Sequence, residues 1–571
     1  MLKEAIYHKS DSSYCYALDE NSLVIKLRTG KNDLDKVILC YGDRYEPIPE
    51  ITIFQEEMSL VFSDDLYEYY EIIIKPGYNR ICYYFKLIDG DTVEYLVQDL
   101  FLKQPPVERN RFYLFACICK GDLYKKDDSW QDMIVYQIFV DRFNKQDIDA
   151  NWYKLPKGPE IYGGNLKGII EKLDYLSELG INCLYLTPIF ESDSSHKYDI
   201  KDYYKIDSTF GDGKIFRELV NKCHDRGIKV ILDAVFNHTS NHFFAFEDIL
   251  INKDKSKYFD WYLFNGSGKY DTFGSEETMP KVNTANKNAK KYFLEISRYW
   301  IEHYDIDGWR LDVANEIDHI FWRDFRRAVK EIKEDLFIVG ELWDGCDSYS
   351  QGDQFDSIMN YPLREFLIDY IAKERISTEQ FDAYVNKYFS KFKLNMRNCM
   401  LNLIDTHDTS RFLYECNEDI EKLKLAMFFL TTCIGIPMIY YGDEAGLTGA
   451  NDPDCRRTID FDKMNTDVFD TYKKMISLRK TLTALRRGSF KTVLTSDDVY
   501  VFKRFSEEQE LYVVFNKGKN SCEIELDLSG TKVVDHMSGK EYLNNDNTFK
   551  LIINPYEKYI LEVLKHFIYQ I

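Results

Sequence analysis

Asp312, Glu341 and Asp408 each stand at the end of an apolar run that reads as a β-strand. The run 306–312 carries Arg310 two residues before Asp312, so both side chains share one face. The next run ends in Val339-Gly340-Glu341-Leu342-Trp343. A later one, 400–404, leads into Thr406-His407-Asp408, and an earlier one, 229–235, leads into Phe236-Asn237-His238. Two carboxyl groups of unlike protonation are what cleavage of an acetal needs: one attacks the anomeric carbon and one protonates the leaving oxygen. Asp312 suits the attack, because Arg310 beside it would hold it ionised. Glu341 suits the acid if burial and the other acids raise it. Asp408 would hydrogen-bond ring hydroxyls and favour a distorted sugar. His238 and His407 would donate to hydroxyls near the developing charge, and no metal is needed for this chemistry. Any one of these acids alone is more often a helix cap or a solvated loop residue, and a lone histidine is more often structural. The constellation outweighs those readings, because several separate loops would have to mimic it together.

Bringing such residues together takes parallel strands whose C-terminal ends lie on one side. From 133 to about 485, apolar runs alternate with amphipathic stretches. Helical patterns at 166–179, 214–226, 289–303 and 322–333 precede strand runs at 182–186, 229–235, 306–313 and 336–339. This rhythm, over roughly 350 residues, fits a (β/α)8 barrel, a fold that keeps its chemistry at the C-terminal strand ends. The stretch 239–284 is too long for an ordinary loop and reads as a small inserted subdomain over the barrel mouth. Residues 1–122 read as an N-terminal β-sandwich, with strands at 22–29, 36–42, 68–75 and 80–88 and an Asp89-Gly90 hairpin into 92–95. Pro105-Pro106 starts an extended connection. After Gly488 strands return at 499–505, 511–515, 523–528 and 551–553, a C-terminal β-sandwich over 488–571. The expected class is therefore α/β, a TIM barrel over 123–487 flanked by two β-domains.

The composition agrees with this reading. The 571 residues are 45% hydrophobic and 30% charged, the balance of a globular multidomain protein. No apolar run approaches the ~18 residues of a membrane span. The start, Met-Leu-Lys-Glu, puts charges where a signal peptide needs an apolar core, so the cytoplasm is the expected location. A net charge of −21, from 74 basic and 95 acidic residues, argues against nucleic acid or an anionic membrane as the main partner and suits a neutral substrate. The 13 cysteines are scattered without a CxxC pair and read as free core thiols; Cys117 and Cys119 would supply at most half of a metal site.

At these residues the chain resembles the α-amylase family of glycoside hydrolases. Asp233-Ala-Val-Phe-Asn-His238, Gly308-Trp-Arg-Leu-Asp-Val-Ala-Asn-Glu316, Gly340-Glu-Leu-Trp343 and Thr406-His-Asp-Thr409 look like its four signature stretches, in the family's order. Met279-Pro-Lys-Val-Asn283 is similar to the stretch that marks its neopullulanase, cyclomaltodextrinase and maltogenic amylase group, with Val282 where the group usually has Leu. The resemblance implies a retaining mechanism with Asp312 as nucleophile, Glu341 as acid/base and Asp408 as transition-state stabiliser. Arg310, His238 and His407 would support the first glucose and Tyr198 would stack on it. Asp452 and Arg456 match positions that contact the next glucose, and Trp343 and Asn315 sit where the group shapes its leaving-group subsites. The implied substrates are cyclodextrins, pullulan and short maltodextrins, with maltose or panose as the main products and transglycosylation alongside hydrolysis.

The resemblance further implies a homodimer in which the N-terminal domain narrows a partner's entrance. It also implies a structural calcium ion held by Asn144, Asp149, Gly163 and Asn165. At this loop the sequence departs from the group: the turn reads Gly163-Gly164-Asn165, with Asn where the group has Asp, so a ligand charge is lost. Two other readings stay open: an α-1,6-glucosidase or transglycosylase of the same family, and an inactive glucan-binding barrel.

Overall fold

A computed structural model describes residues 1–47, 51–98, 100–123, 127–265, 268–528, 532–543 and 548–564. The parts of the expected subdomain at 266–267 and of the expected C-terminal domain at 529–531, 544–547 and 565–571 lie outside the described residues.

Eight short apolar strands close a parallel barrel: β1 (Val135–Ile138), β2 (Cys183–Leu186), β3 (Lys229–Ala234), β4 (Gly308–Leu311), β5 (Phe337–Gly340), β6 (Ser357–Asn360), β7 (Leu401–Asn402) and β8 (Ile436–Tyr440). Strand alternation explains their composition. Val135, Cys183, Ile231, Phe337, Val339 and Met359 turn into the barrel, whereas Tyr136, Leu184, Leu232, Trp309 and Ile338 turn out against the helices. Both faces are buried, so the runs are apolar throughout rather than alternating with polar residues. Gly308 stands where strands crowd: a Cβ there would lie 2.7 Å from the Phe337 carbonyl oxygen and 3.0 Å from Ile231 Cγ1.

Helices Gly213–His224, Lys287–Tyr304 and His319–Lys330 each begin at a side-chain cap, from Asp212, Asn286 and Asp318 respectively. The single helix expected at 166–179 is two, Leu166–Glu171 and Leu173–Leu179, with Lys172 off helical geometry between them. The stretch after β3 folds as a helix, Phe244–Asn252, and a hairpin, Thr272–Phe273 with Glu276–Pro280. Lys281 at the end of that hairpin bridges back to His238, so the insert is tied directly to the barrel mouth.

The N-terminal region pairs a four-stranded sheet with a six-stranded one. It meets the barrel through charge that is buried and matched: Arg397 donates to both oxygens of Glu71 at 3.1 and 2.7 Å, and Lys26 donates to the Ser390 carbonyl at 2.8 Å. The C-terminal region is a six-stranded sheet with a two-stranded partner. Arg504 anchors it, donating to the carbonyls of Thr432, Leu485 and Gly488.

Candidate active site

The strand pattern that fills the barrel also builds the site. Two residues beyond the last inward apolar side chain of four strands comes a polar one: Gln137 after Val135, Tyr185 after Cys183, Asp233 after Ile231 and Glu341 after Val339. Arg310 is the register partner of Asp233 on one side and of Val339 on the other. In a parallel sheet such partners point the same way, so the apolar interior ends at the C-terminal mouth in a polar layer.

Arg310 is the centre of that layer and is wholly buried. Its Nη1 donates to Asp233 Oδ1 and Oδ2 at 2.9 and 3.0 Å and to Asp312 Oδ1 at 2.8 Å. Its Nη2 lies 2.9 Å from Glu341 Oε2. The Val313 backbone N–H donates to that same oxygen at 2.9 Å, and Trp343 Nε1 donates to Glu341 Oε1 at 3.2 Å. Asp312 Oδ2 is buried without a protein partner. Three carboxyl groups thus share one guanidinium. Two unit charges cannot be left uncompensated in a dry site, so the cluster retains a proton. Burial is the largest influence on Asp312 and raises it well above the ordinary carboxyl value; Arg310 opposes this, and Glu341 and Asp233 add to it. The same burial takes Asp233 up to about 6. This corrects the sequence expectation, in which Arg310 wins at Asp312: one guanidinium divided among three carboxylates does not offset their loss of water.

A second chain of contacts runs from β1 to Asp233. Gln137 Nε2 donates to His407 Nδ1 at 2.9 Å, leaving Nε2 as the protonated nitrogen of a neutral imidazole, 2.6 Å from the Tyr198 hydroxyl. Burial, aided by Arg456 and Arg310, holds His407 far below the usual histidine value. The Tyr198 hydroxyl donates onward to Asp233 at 2.9 Å, and Tyr185 does so at 2.7 Å. The Tyr198 and His407 rings lie 3° from parallel, with centroids 5.4 Å apart. Asp408 projects into solvent from the next position, its oxygens 3.3 Å from His407 Nε2 and 3.3 Å from Arg456 Nη2. Arg456 also reaches Asp452 at 3.0 Å and donates from Nε to the His407 carbonyl at 2.8 Å. The arginine is therefore both an ion-pair partner and a brace for the loop that carries Asp408.

The rim holds the aromatic groups. His238 is buried with its Nε2 unpartnered, and burial pushes it down to about 3, so it too is neutral. Phe273, from the inserted hairpin, stacks on its ring at 5.0 Å. Trp343, half exposed, lies flat on Tyr361 at 3.9 Å. Asn315 is exposed on the loop after β4. The structure thus gathers Asp312, Glu341, Asp408, Arg310, His238, His407, Tyr198, Asp452, Arg456 and Trp343 around one mouth. Sequence reasoning named none of Gln137, Tyr185, Phe273 and Tyr361, and it quoted Asp233 without giving it a role. The signal for Gln137, Tyr185 and Asp233 was strand parity, a polar residue on the inward register of an apolar strand. Tyr361, two residues beyond inward Met359, carried the same signal, and Phe273 carried none.

The loop expected to hold calcium is built differently. Asn165 caps the helix Leu166–Glu171 through the Gly168 N–H at 2.9 Å and turns its amide nitrogen to the Gly163 carbonyl at 3.3 Å. Asn144 donates its own amide to the Gly168 carbonyl at 3.0 Å. Asp149 faces the Lys145 ammonium at 3.3 Å, and that ammonium also donates to the Tyr162 carbonyl at 3.0 Å. Among the described residues no group of three or more His, Cys, Asp or Glu side chains could hold a metal. The four residues do not fit calcium: two are amides whose N–H groups point at the carbonyls a metal would use, and a lysine supplies the positive charge.

Comparison with known proteins follows the same three parts. Residues 137–466 match the family model described as alpha amylase, catalytic domain. Residues 1–119 match the alpha amylase N-terminal ig-like domain, and 490–560 match the maltogenic amylase C-terminal domain. The chain is 42% identical to a cyclomaltodextrinase of Thermoanaerobacter pseudethanolicus, covering 98% of this chain and 100% of that protein. It is 39% identical to neopullulanase 2 of Thermoactinomyces vulgaris, covering 98% and 99%. A solved cyclomaltodextrinase structure superposes with a TM-score of 0.93 at 35% identity, covering 98% of this chain and all of that one.

Proposed function

The chain belongs to the α-amylase family of glycoside hydrolases, and from that premise we propose that it is a retaining α-glucan hydrolase that opens cyclodextrins and cleaves pullulan and short maltodextrins. The observation that carries this reading is the arrangement of Asp312 and Glu341 on opposite nitrogens of one buried guanidinium, at the mouth of a closed barrel. Relatives named cyclomaltodextrinase and neopullulanase, similar over their full length, support the substrate class.

In the first step an ionised Asp312 oxygen bonds to the anomeric carbon while Glu341 gives its proton to the departing glycosidic oxygen. The bond to that oxygen breaks and the released chain leaves with the proton. In the second step Glu341, now a carboxylate, takes a proton from water, or from a sugar hydroxyl in transglycosylation, and the attacking oxygen displaces Asp312. The cycle starts with one proton on Glu341 and returns it there at the end. Neutral His238 and His407 stand at the mouth without adding charge beside the sugar's developing cation. Tyr198 offers a ring face to the sugar, and Asp408, partly exposed at the mouth beside Arg456, is available to its hydroxyls.

A cytoplasmic location is supported by 13 free cysteines and by the lack of a disulfide among the described residues. No helix of the described residues is long and apolar enough to cross a membrane. A homodimer through the N-terminal region is supported by the domain's family match and by large apolar side chains it leaves exposed, Tyr45, Phe54 and Val107 among them.

The test compares initial rates on γ-cyclodextrin, pullulan and soluble starch, with product chromatography. Faster cyclodextrin opening with maltose accumulating is the expected result; rapid starch cleavage to long products would overturn the substrate assignment. In the same assay Asp312→Asn and Glu341→Gln should each lower kcat by about 10³-fold or more with the fold intact. Near-normal turnover in either variant would refute its catalytic role.

A further inference from the structure

The residue after Asp312 has a backbone conformation that its type disfavours. Val313 lies at φ 45° and ψ 46°, left-handed backbone that a β-branched side chain rarely adopts. Such a conformation persists only where the surroundings hold it. What the turn delivers is a donor. The Val313 N–H reaches Glu341 Oε2 at 2.9 Å, and the Ala314 N–H reaches the Glu341 carbonyl at 3.3 Å. Arg310 Nη2 also stands 2.9 Å from Oε2. With positive groups at Oε2, a proton on Glu341 belongs on Oε1, the oxygen that Trp343 Nε1 faces from 3.2 Å.

The turn continues as one short 3-10 turn, Ala314–Glu316, whose carbonyls are held from three elements. Trp322 Nε1, from the helix His319–Lys330, donates to the Ala314 carbonyl at 2.9 Å, and the Tyr349 hydroxyl, from the loop after β5, donates to the Asn315 carbonyl at 3.1 Å. The third holder is Lys281, at the end of the inserted hairpin. Its Nζ donates to the Glu316 carbonyl at 3.2 Å and to Glu316 Oε2 at 2.8 Å. The same ammonium donates to Asn237 Oδ1 in the loop after β3. Three oxygens thus match its three protons. Its own backbone is fixed, with the Lys281 N–H on the Asp271 carbonyl at 2.8 Å and the Val282 N–H on the Asn237 carbonyl at 2.9 Å. One cation therefore ties the insert, the loop after β3 and the turn after β4.

We propose that Lys281 is a positioning residue for Glu341: by holding the 313–316 turn it keeps the Val313 N–H on Oε2, and so keeps the transferable proton on Oε1. This rests on the reading of Glu341 as the acid. Lys281 acts through the turn, not on the reacting atoms.

A general acid matters in proportion to how badly the leaving group needs a proton. The glycosidic oxygen of γ-cyclodextrin needs one, whereas α-maltosyl fluoride releases fluoride with little help. The ratio kcat/KM covers the steps up to departure, so it reads Glu341 as acid and not as the later base. In Lys281→Met, kcat/KM should fall about 10²-fold on γ-cyclodextrin and less than about fivefold on α-maltosyl fluoride. Lys281→Arg, which keeps a cation with several donors, should restore most of the γ-cyclodextrin rate. Equal losses on the two substrates, or no loss on either, would overturn the proposal. If Lys281→Met does not fold, Glu316→Gln decides: it removes the charged acceptor of the same contact and must show the same disproportion at smaller size. Hydrogen exchange over 312–317, followed by mass spectrometry, reads the turn without any substrate. Exchange there should quicken about tenfold or more in Lys281→Met and return toward the native rate in Lys281→Arg. Unchanged exchange would also overturn the proposal. A native enzyme inert on both substrates would instead sink the glucan-hydrolase reading and leave the exchange arm to decide whether Lys281 holds the turn.

Discussion

Arg310 sets the protonation of the site, and its removal makes the sharpest test at the scale of one residue. Its guanidinium lowers Asp312 against burial and the neighbouring carboxylates. The nucleophile must be ionised, so the acidic limb of kcat/KM follows Asp312. Arg310→Gln takes away the only opposing charge in the cluster and should raise Asp312 further, moving the acidic limb to higher pH by a unit or more. Maximal kcat/KM should drop by roughly 10²–10⁴-fold at the same time. A pH–rate profile reads both. Loss of activity with the limb unmoved would mean that Arg310 only holds geometry. The same residue shows how far single side chains could be read in advance. Its adjacency to Asp312 was visible in the spacing. Its division among Asp233, Asp312 and Glu341 was not, because that depends on three strands meeting.

At the scale of elements, the site is as good as the strand register that delivers it. Asp233, Arg310 and Glu341 point inward because their strands alternate, and β4 lies close enough to β3 and β5 because Gly308 has no side chain. Gly308→Ala would set a methyl 2.7 Å from the Phe337 carbonyl. It should cost about 1–3 kcal/mol in stability, as overpacking does, and displace Arg310, measured as a lower Tm together with reduced kcat. An unchanged Tm and kcat would show that β4 has room to move. The strands themselves were legible as apolar runs bounded by helix patterns. Their ends were less so: β7 is only Leu401–Asn402, where the run suggested 400–404, and Asp312 lies just past β4 rather than within it. The apolar run continues beyond the ladder because the loop residues after each strand are buried too.

At the scale of the whole molecule, the three parts are joined by buried charge met by buried partners, as at Glu71 with Arg397 and at Arg504 with three carbonyls. The 145–165 loop differs: an exposed carboxylate, Asp149, and the Tyr162 carbonyl meet a lysine where the family resemblance implies a metal. Its stability should accordingly be indifferent to divalent ions. Chelator or excess calcium should leave the Tm within about a degree, whereas Lys145→Met, which removes the donor to the Tyr162 carbonyl, should lower the Tm measurably. A rise of several degrees on adding calcium would reverse this account of the loop.

The sequence by itself determined the barrel, the flanking β-domains and the set of acids, because hydrophobic period and strand-end position are local properties of a chain. It could also name the family, since its signature stretches are contiguous. Only the tertiary structure decided how charge is shared: which carboxyls are raised at Arg310 and why both site histidines are neutral. Those outcomes depend on burial and on distances between residues 31 to 270 positions apart, and the cost of removing a charge from water has no counterpart in sequence spacing.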